Sequence, residues 1–90
     1  MVMILYIIMV YDVGIERVNK VLKVGRKYLI WIQNSVLEGE ITDADFIRLK
    51  EEISNIIDKE SDSVLFFSLR SKYDSKIVIG KVKNEPNVFI

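Results

Sequence analysis

An α+β sandwich with the element order βαββαβ is the fold class that the sequence predicts. Three observations predict it. An almost unbroken apolar run covers residues 2–11, two later stretches carry apolar residues at helical spacing, and the segments between and after them are rich in β-branched and aromatic residues. Strands and helices in that order suit a ferredoxin-like sandwich, an antiparallel sheet with both helices on one face. A further apolar stretch near the end predicts an extra C-terminal strand. At 90 residues the chain reads as a single domain, 1–90. So short a chain buries a modest fraction of its surface, and a second copy would add to it.

Each element has its own justification. Residues 3–11 are Ile-, Val- and Tyr-rich with little alternation, so both faces are covered and the strand is central. A helix follows over about 15–28. Val18, Val21, Leu22, Gly25 and Leu29 fall on one stripe, and Arg17, Lys20, Lys23 and Lys27 spread over the other side. Glu16 in the first turn and Arg26 and Lys27 in the last suit the helix dipole. Gly25 weakens this helix by roughly 1 kcal/mol relative to alanine but lets it lie close to the sheet. The stretch YLIWIQNSVLEGEI (28–41) reads as two short strands, about 29–33 and 35–39, joined by a tight turn near Asn34, or else as one bent strand. Thr42 caps a second helix and Asp45 completes a capping box. Its buried stripe is Phe46, Leu49, Ile53, Ile56 and Ile57, and it ends near Lys59. Residues 63–69 form the fourth strand, and a short loop at 72–75 precedes the last one, 76–82. Four strands leave one sheet face bare. A second copy packed sheet to sheet, as a symmetric homodimer, covers it most economically. The C-terminal segment, about 76–90, then pairs with an exposed edge of its own sheet or of the partner's.

Composition excludes more than it assigns. Half the residues are apolar and 29% are charged, as in a folded domain. Without cysteine there is no disulfide or thiolate chemistry, and without histidine there is neither the commonest general base nor the usual zinc ligand. Chemistry is left to carboxylates, hydroxyls, Lys, Arg and a bound metal. The N-terminal apolar run is too short to span a bilayer and lacks the features of a signal peptide, so the expected location is cytoplasmic, with no membrane contact. Net charge is zero but segregated. Residues 16–28 carry five basic side chains against Glu16, residues 38–62 carry nine acids against Arg48, Lys50 and Lys59, and residues 70–85 carry five basic against two acidic. Two basic segments meeting on one face would suit nucleic acid, and ordinary solvated helix faces would look the same.

Asp12 is the only acid or base among the first fifteen side chains. One reading makes it the N-cap of the first helix, without a capping box because Ile15 holds the third position on. The other makes it a metal-binding carboxylate at the C-terminal end of a central strand, where α/β layers place active-site groups. Mg²⁺ takes oxygen ligands, often only one or two carboxylates with several waters. A two-fold dimer would supply one Asp12 from each chain, and a bound cation or a shared proton would relieve their repulsion. Metal-assisted attack of water on a phosphodiester then needs no histidine. Tyr11 points to the opposite side of the strand and supports it, in the core or at a dimer contact. Arg17 in the first helical turn would hold a phosphate by paired hydrogen bonds, or would be a surface residue. Lys20 extends the same basic face. Ser35 would donate to a phosphate or satisfy a turn.

Several stretches together carry a family resemblance: VYDVG after strand one, ERVNKVLKVGRKYL in the basic helix, WIQNSVLEGEIT, DSVLFFSLRSK and the late VIGK. Over essentially the whole chain this resembles the CRISPR-associated protein family two, the small subunit of the spacer-acquisition machinery. The resemblance implies a ferredoxin-like homodimer whose C-terminal strand reaches the partner's sheet. It also implies an integrase partner, the first CRISPR-associated protein, flanking the dimer, and double-stranded DNA supported on it. It further implies a Mg²⁺-dependent endonuclease acting on RNA or double-stranded DNA, with Asp12 from each protomer as the catalytic metal ligand. Tyr11, Arg17 and Ser35 match accessory positions. A non-catalytic scaffold for the integrase and a toxin-type endoribonuclease are the alternatives. Leu37 stands where the family usually has phenylalanine, and Gly25 inside the helix is also atypical.

Overall fold

The apolar run becomes one of the two inner strands of a four-stranded antiparallel sheet. In the computed structural model, which describes residues 2–69 together with 79 and 80, the elements are β1 (Ile4–Asp12), α1 (Ile15–Gly25), β2 (Ile30–Gln33), β3 (Val36–Thr42), α2 (Asp43–Ile56) and β4 (Ser63–Leu69). The strand order is β2-β3-β1-β4. Strand β1 is therefore paired on both edges, with Met9 opposite Leu37 on one side and Phe66 on the other. This is the expected ferredoxin-like arrangement, with each βαβ unit split by an inserted antiparallel strand.

Alternation divides the sheet into two unlike faces. Ile7, Met9 and Tyr11 of β1 and Leu37 and Ile41 of β3 join Val21, Leu29, Leu49 and Ile53 in one buried cluster under the helices. The other face carries Ile4, Ile30, Leu65 and Phe67, each about half exposed. Its middle is pinned by a polar contact, the Tyr6 hydroxyl donating to the buried Glu38 carboxylate. A carboxylate at 5% exposure is tolerable because it is hydrogen-bonded.

Boundaries differ from expectation for local reasons. Helix α1 stops at Gly25, three residues short of 28, and residues 26–28 form a turn closed by Leu29 N–H donating to the Gly25 carbonyl at 2.8 Å. A Cβ at Gly25 would sit 3.0 Å from Leu37 Cδ2 and 3.7 Å from Met9 Sδ, so the helix does approach the sheet closely there. The segment 28–41 is two strands rather than one bent strand. Asn34 takes a left-handed φ of 40° in the two-residue turn between them, and a bulge between Trp31 and Gln33 adjusts the register. Strand β3 continues to Thr42 because its partner β1 already offers Ile4 opposite that position. Thr42 caps α2, its hydroxyl accepting from Asp45 N–H at 3.1 Å. The Asp45 carboxylate turns to Arg48 at 2.5 Å instead of completing the box. Helix α2 ends at Ile56, before Lys59. Strand β4 spans the expected residues. The last strand and the exchanged segment fall outside the described residues, save Ile79 and Gly80, which carry no strand.

Candidate active site

Asp12 closes β1 and still pairs with Ser63 of β4. The N-cap of α1 is Gly14, two residues on, with no side-chain cap. The capping role therefore does not hold, because Asp12 is strand, and the strand-end reading remains. Alternation puts its side chain on the half-exposed apolar face, opposite Tyr11, and the residue is exposed. Among the described residues no hydrogen bond or ion pair engages its carboxylate.

The neighbouring backbone gathers at the same sheet end. Tyr11 N–H donates to the Ser35 carbonyl at 3.1 Å, which brings the β2–β3 turn beside Asp12. Tyr11 is buried among the core residues, its hydroxyl reaches the Asn34 carbonyl at 3.4 Å, and burial pushes the phenol up from its ordinary pKa. Ser35 is thus brought to the strand end. Lys20 is not, because it is exposed on α1, in the helical layer on the other side of the sheet. Among the described residues Lys20, Lys23 and Arg26 form no ion pair, and Arg26 lies 5.8 Å from the Trp31 ring centroid. Leu37 is fully buried under α1, so its difference from phenylalanine concerns core packing.

Arg17 has a partner that the sequence did not reveal. Its Nε and Nη2 donate to Asp62 at 2.5 and 2.9 Å, and Nη1 lies 2.7 Å from Glu16. The Asp62 side chain has no exposed surface and also accepts from Gly14 N–H and Asp58 N–H, each at 2.9 Å. The guanidinium fork and these two amides hold the Asp62 carboxyl far below the usual carboxylate range, and Asp62 raises Arg17 further. Any phosphate at Arg17 would compete with that carboxylate. Asp62 looks like one more acid of the acidic segment until topology is known. Antiparallel pairing of β1 with β4 then puts the residue before Ser63 beside the residues after Asp12.

Among the described residues no three His, Cys, Asp or Glu side chains converge as a metal site. Asp12 by itself is one hard oxygen donor, exposed and unengaged among the described residues. That suits Mg²⁺ when a second copy brings another, since the ion keeps most of its waters. No described helix is long and apolar enough to cross a membrane.

The description "CRISPR associated protein Cas2" fits residues 3–77. A CRISPR-associated endoribonuclease Cas2 of Dictyoglomus turgidum is 57% identical over 82 residues, 90% of this chain and 94% of that one. The protein of the same name from Pyrococcus furiosus is 60% identical over 67 residues, 74% and 79% of the two chains. A crystal structure of cas2 superposes with a TM-score of 0.82 at 39% identity and covers 98% of this chain and all of that one.

Proposed function

This chain belongs to the CRISPR-associated Cas2 family, and from that premise we propose that it is a homodimeric, Mg²⁺-dependent endonuclease of the spacer-acquisition stage, working in the cytoplasm. The observation that carries the reading is the exposed Asp12 carboxylate, unpaired among the described residues, at the end of the central strand, on the same sheet face as Ile4, Leu65 and Phe67. Two such faces packed together bury the apolar patch and bring one Asp12 from each protomer toward the two-fold axis. RNA is the first substrate to test, because the two relatives described above are named endoribonucleases. Double-stranded DNA is the second.

In this dimer the two Asp12 carboxylates, one from each protomer, would hold Mg²⁺. A bound ion would lower the pKa of a coordinated water, easing its deprotonation to the attacking hydroxide, and would neutralise charge on the phosphodiester. The rest belongs to the chain. Tyr11 anchors the strand end in the core by its ring and its hydroxyl, so the Asp12 backbone is fixed from the side away from the substrate. Ser35, whose backbone is held at the same strand end, would supply a hydroxyl for a non-bridging phosphate oxygen.

A second reading rests on the exposed Lys20, Lys23 and Arg26, which suit phosphate contacts along a duplex. In that role the dimer bridges CRISPR integrase subunits and holds double-stranded DNA, with segment 76–90 exchanged between protomers. Spacer acquisition in cells carrying Asp12→Asn separates the two roles. The enzymatic reading is tested with labelled RNA and duplex DNA. Asp12→Asn is expected to lower Mg²⁺-dependent cleavage at least about a hundredfold with an unchanged melting temperature. Cleavage that survives in the variant or in EDTA would overturn it.

A further inference from the structure

We propose that Asp62 is the positioning residue of the Asp12 site, acting through the backbone on both sides of it, with Arg17 as its counter-ion. The inference rests on the Asp12 reading above and extends it. Asp12 is the last residue of β1, so the chain beyond it leaves the sheet without ladder hydrogen bonds, and no described side chain holds its carboxylate. Its place is therefore set by Val13 and Gly14 on one side and by Ser63, its partner in β4, on the other. One buried carboxylate fastens both. Asp62 Oδ1 takes the Gly14 N–H, and Asp62 itself immediately precedes Ser63. Its Oδ2 takes Asp58 N–H, which closes the α2–β4 connection on itself. Arg17, from the first turn of α1, neutralises the buried charge with two parallel bonds, the geometry in which such a pair is strongest. The fit is close. A Cβ at Gly14 would lie 2.5 Å from Arg17 Nη2 and 2.6 Å from Glu16 Oε1, so glycine is what leaves room for the fork. Four donors saturate Asp62, which marks it as a built junction rather than a solvated loop acid.

The test uses the whole protein and Asp62→Asn, which keeps the volume of the side chain and loses the charge. Arg17→Ala is the second variant, leaving Asp62 its two amides should Asp62→Asn fold poorly. Three quantities are read: amide hydrogen exchange at Gly14, Mn²⁺ affinity by calorimetry, and the Mg²⁺ concentration for half-maximal cleavage. Loosening the junction should speed Gly14 exchange while the α2 amides of Leu49 and Ile53 stay protected. Mn²⁺ affinity should fall, and the half-saturating Mg²⁺ should rise, each roughly tenfold, the lower end of the range for groups that orient a metal ligand. A merely structural role would reduce the folded fraction without moving the metal response of the molecules that remain folded. Wild-type metal affinity and Mg²⁺ response in a folded variant, with Asp12→Asn inactive, would overturn this inference alone. Cleavage by Asp12→Asn at the wild-type rate would remove its premise as well.

Discussion

At the scale of single residues, two aspartates with opposite surroundings organise the molecule. Asp12 is exposed, and its carboxylate is unengaged among the described residues, whereas Asp62 is enclosed and accepts four hydrogen bonds. The difference has a pH signature. Arg17 lowers the Asp62 carboxyl below its unfolded value, so the stabilisation is complete above the ordinary aspartate pKa of about 3.9 and is lost as pH falls through the lower folded value. Melting temperature measured between about pH 6 and pH 2 should fall more steeply for wild type than for Asp62→Asn, and the gap between the two curves should narrow toward the acid end. Parallel curves would show that the Arg17 pair contributes nothing to folding. Glu52 is held low in the same way by Lys27 and Tyr28, but it is present in both proteins and cancels. Asp12 was legible from sequence because a lone acid ends an apolar run. Asp62 was not, because in sequence nothing separates it from Asp58 or Glu60, and only the β1–β4 pairing brings it beside Gly14.

At the scale of elements, periodicity found all the helices and strands described and misplaced some of their ends. Helix α1 reads on to residue 28 because the turn after Gly25 keeps helix-like bonds, Arg26 N–H to the Leu22 carbonyl at 2.9 Å and Leu29 N–H to Gly25. The apolar stripe continues across the boundary, and Arg26 keeps near-helical torsions (φ −69°, ψ −13°), so periodicity does not mark the end. Strand β4 was legible to the residue, yet its alternation does not say which face meets the helices. Val64 and Phe66 pack on the core and Leu65 and Phe67 do not. Truncation distinguishes the faces. Leu37→Ala removes a fully buried side chain beneath Gly25 and should cost about 2–5 kcal/mol in urea unfolding. Leu65→Ala should cost less than about 1 kcal/mol in the monomer, and it should weaken self-association measured by sedimentation. Equal losses would mean that Leu65 belongs to the monomer core.

At the scale of the whole molecule, the proposed function depends on what meets the sheet face that the helices leave bare. One chain supplies one Asp12, and a divalent ion held by carboxylates on a two-fold axis needs both. The most direct measurement is cleavage by a mixed dimer, one protomer wild type and the other Asp12→Asn, co-expressed with two tags and isolated by tandem purification. A site shared between protomers requires that the mixed dimer fall to about a tenth of wild-type activity or less, because the two carboxylates act as a unit. Activity near half that of wild type would mean that each protomer works alone, and would contradict a site built from both.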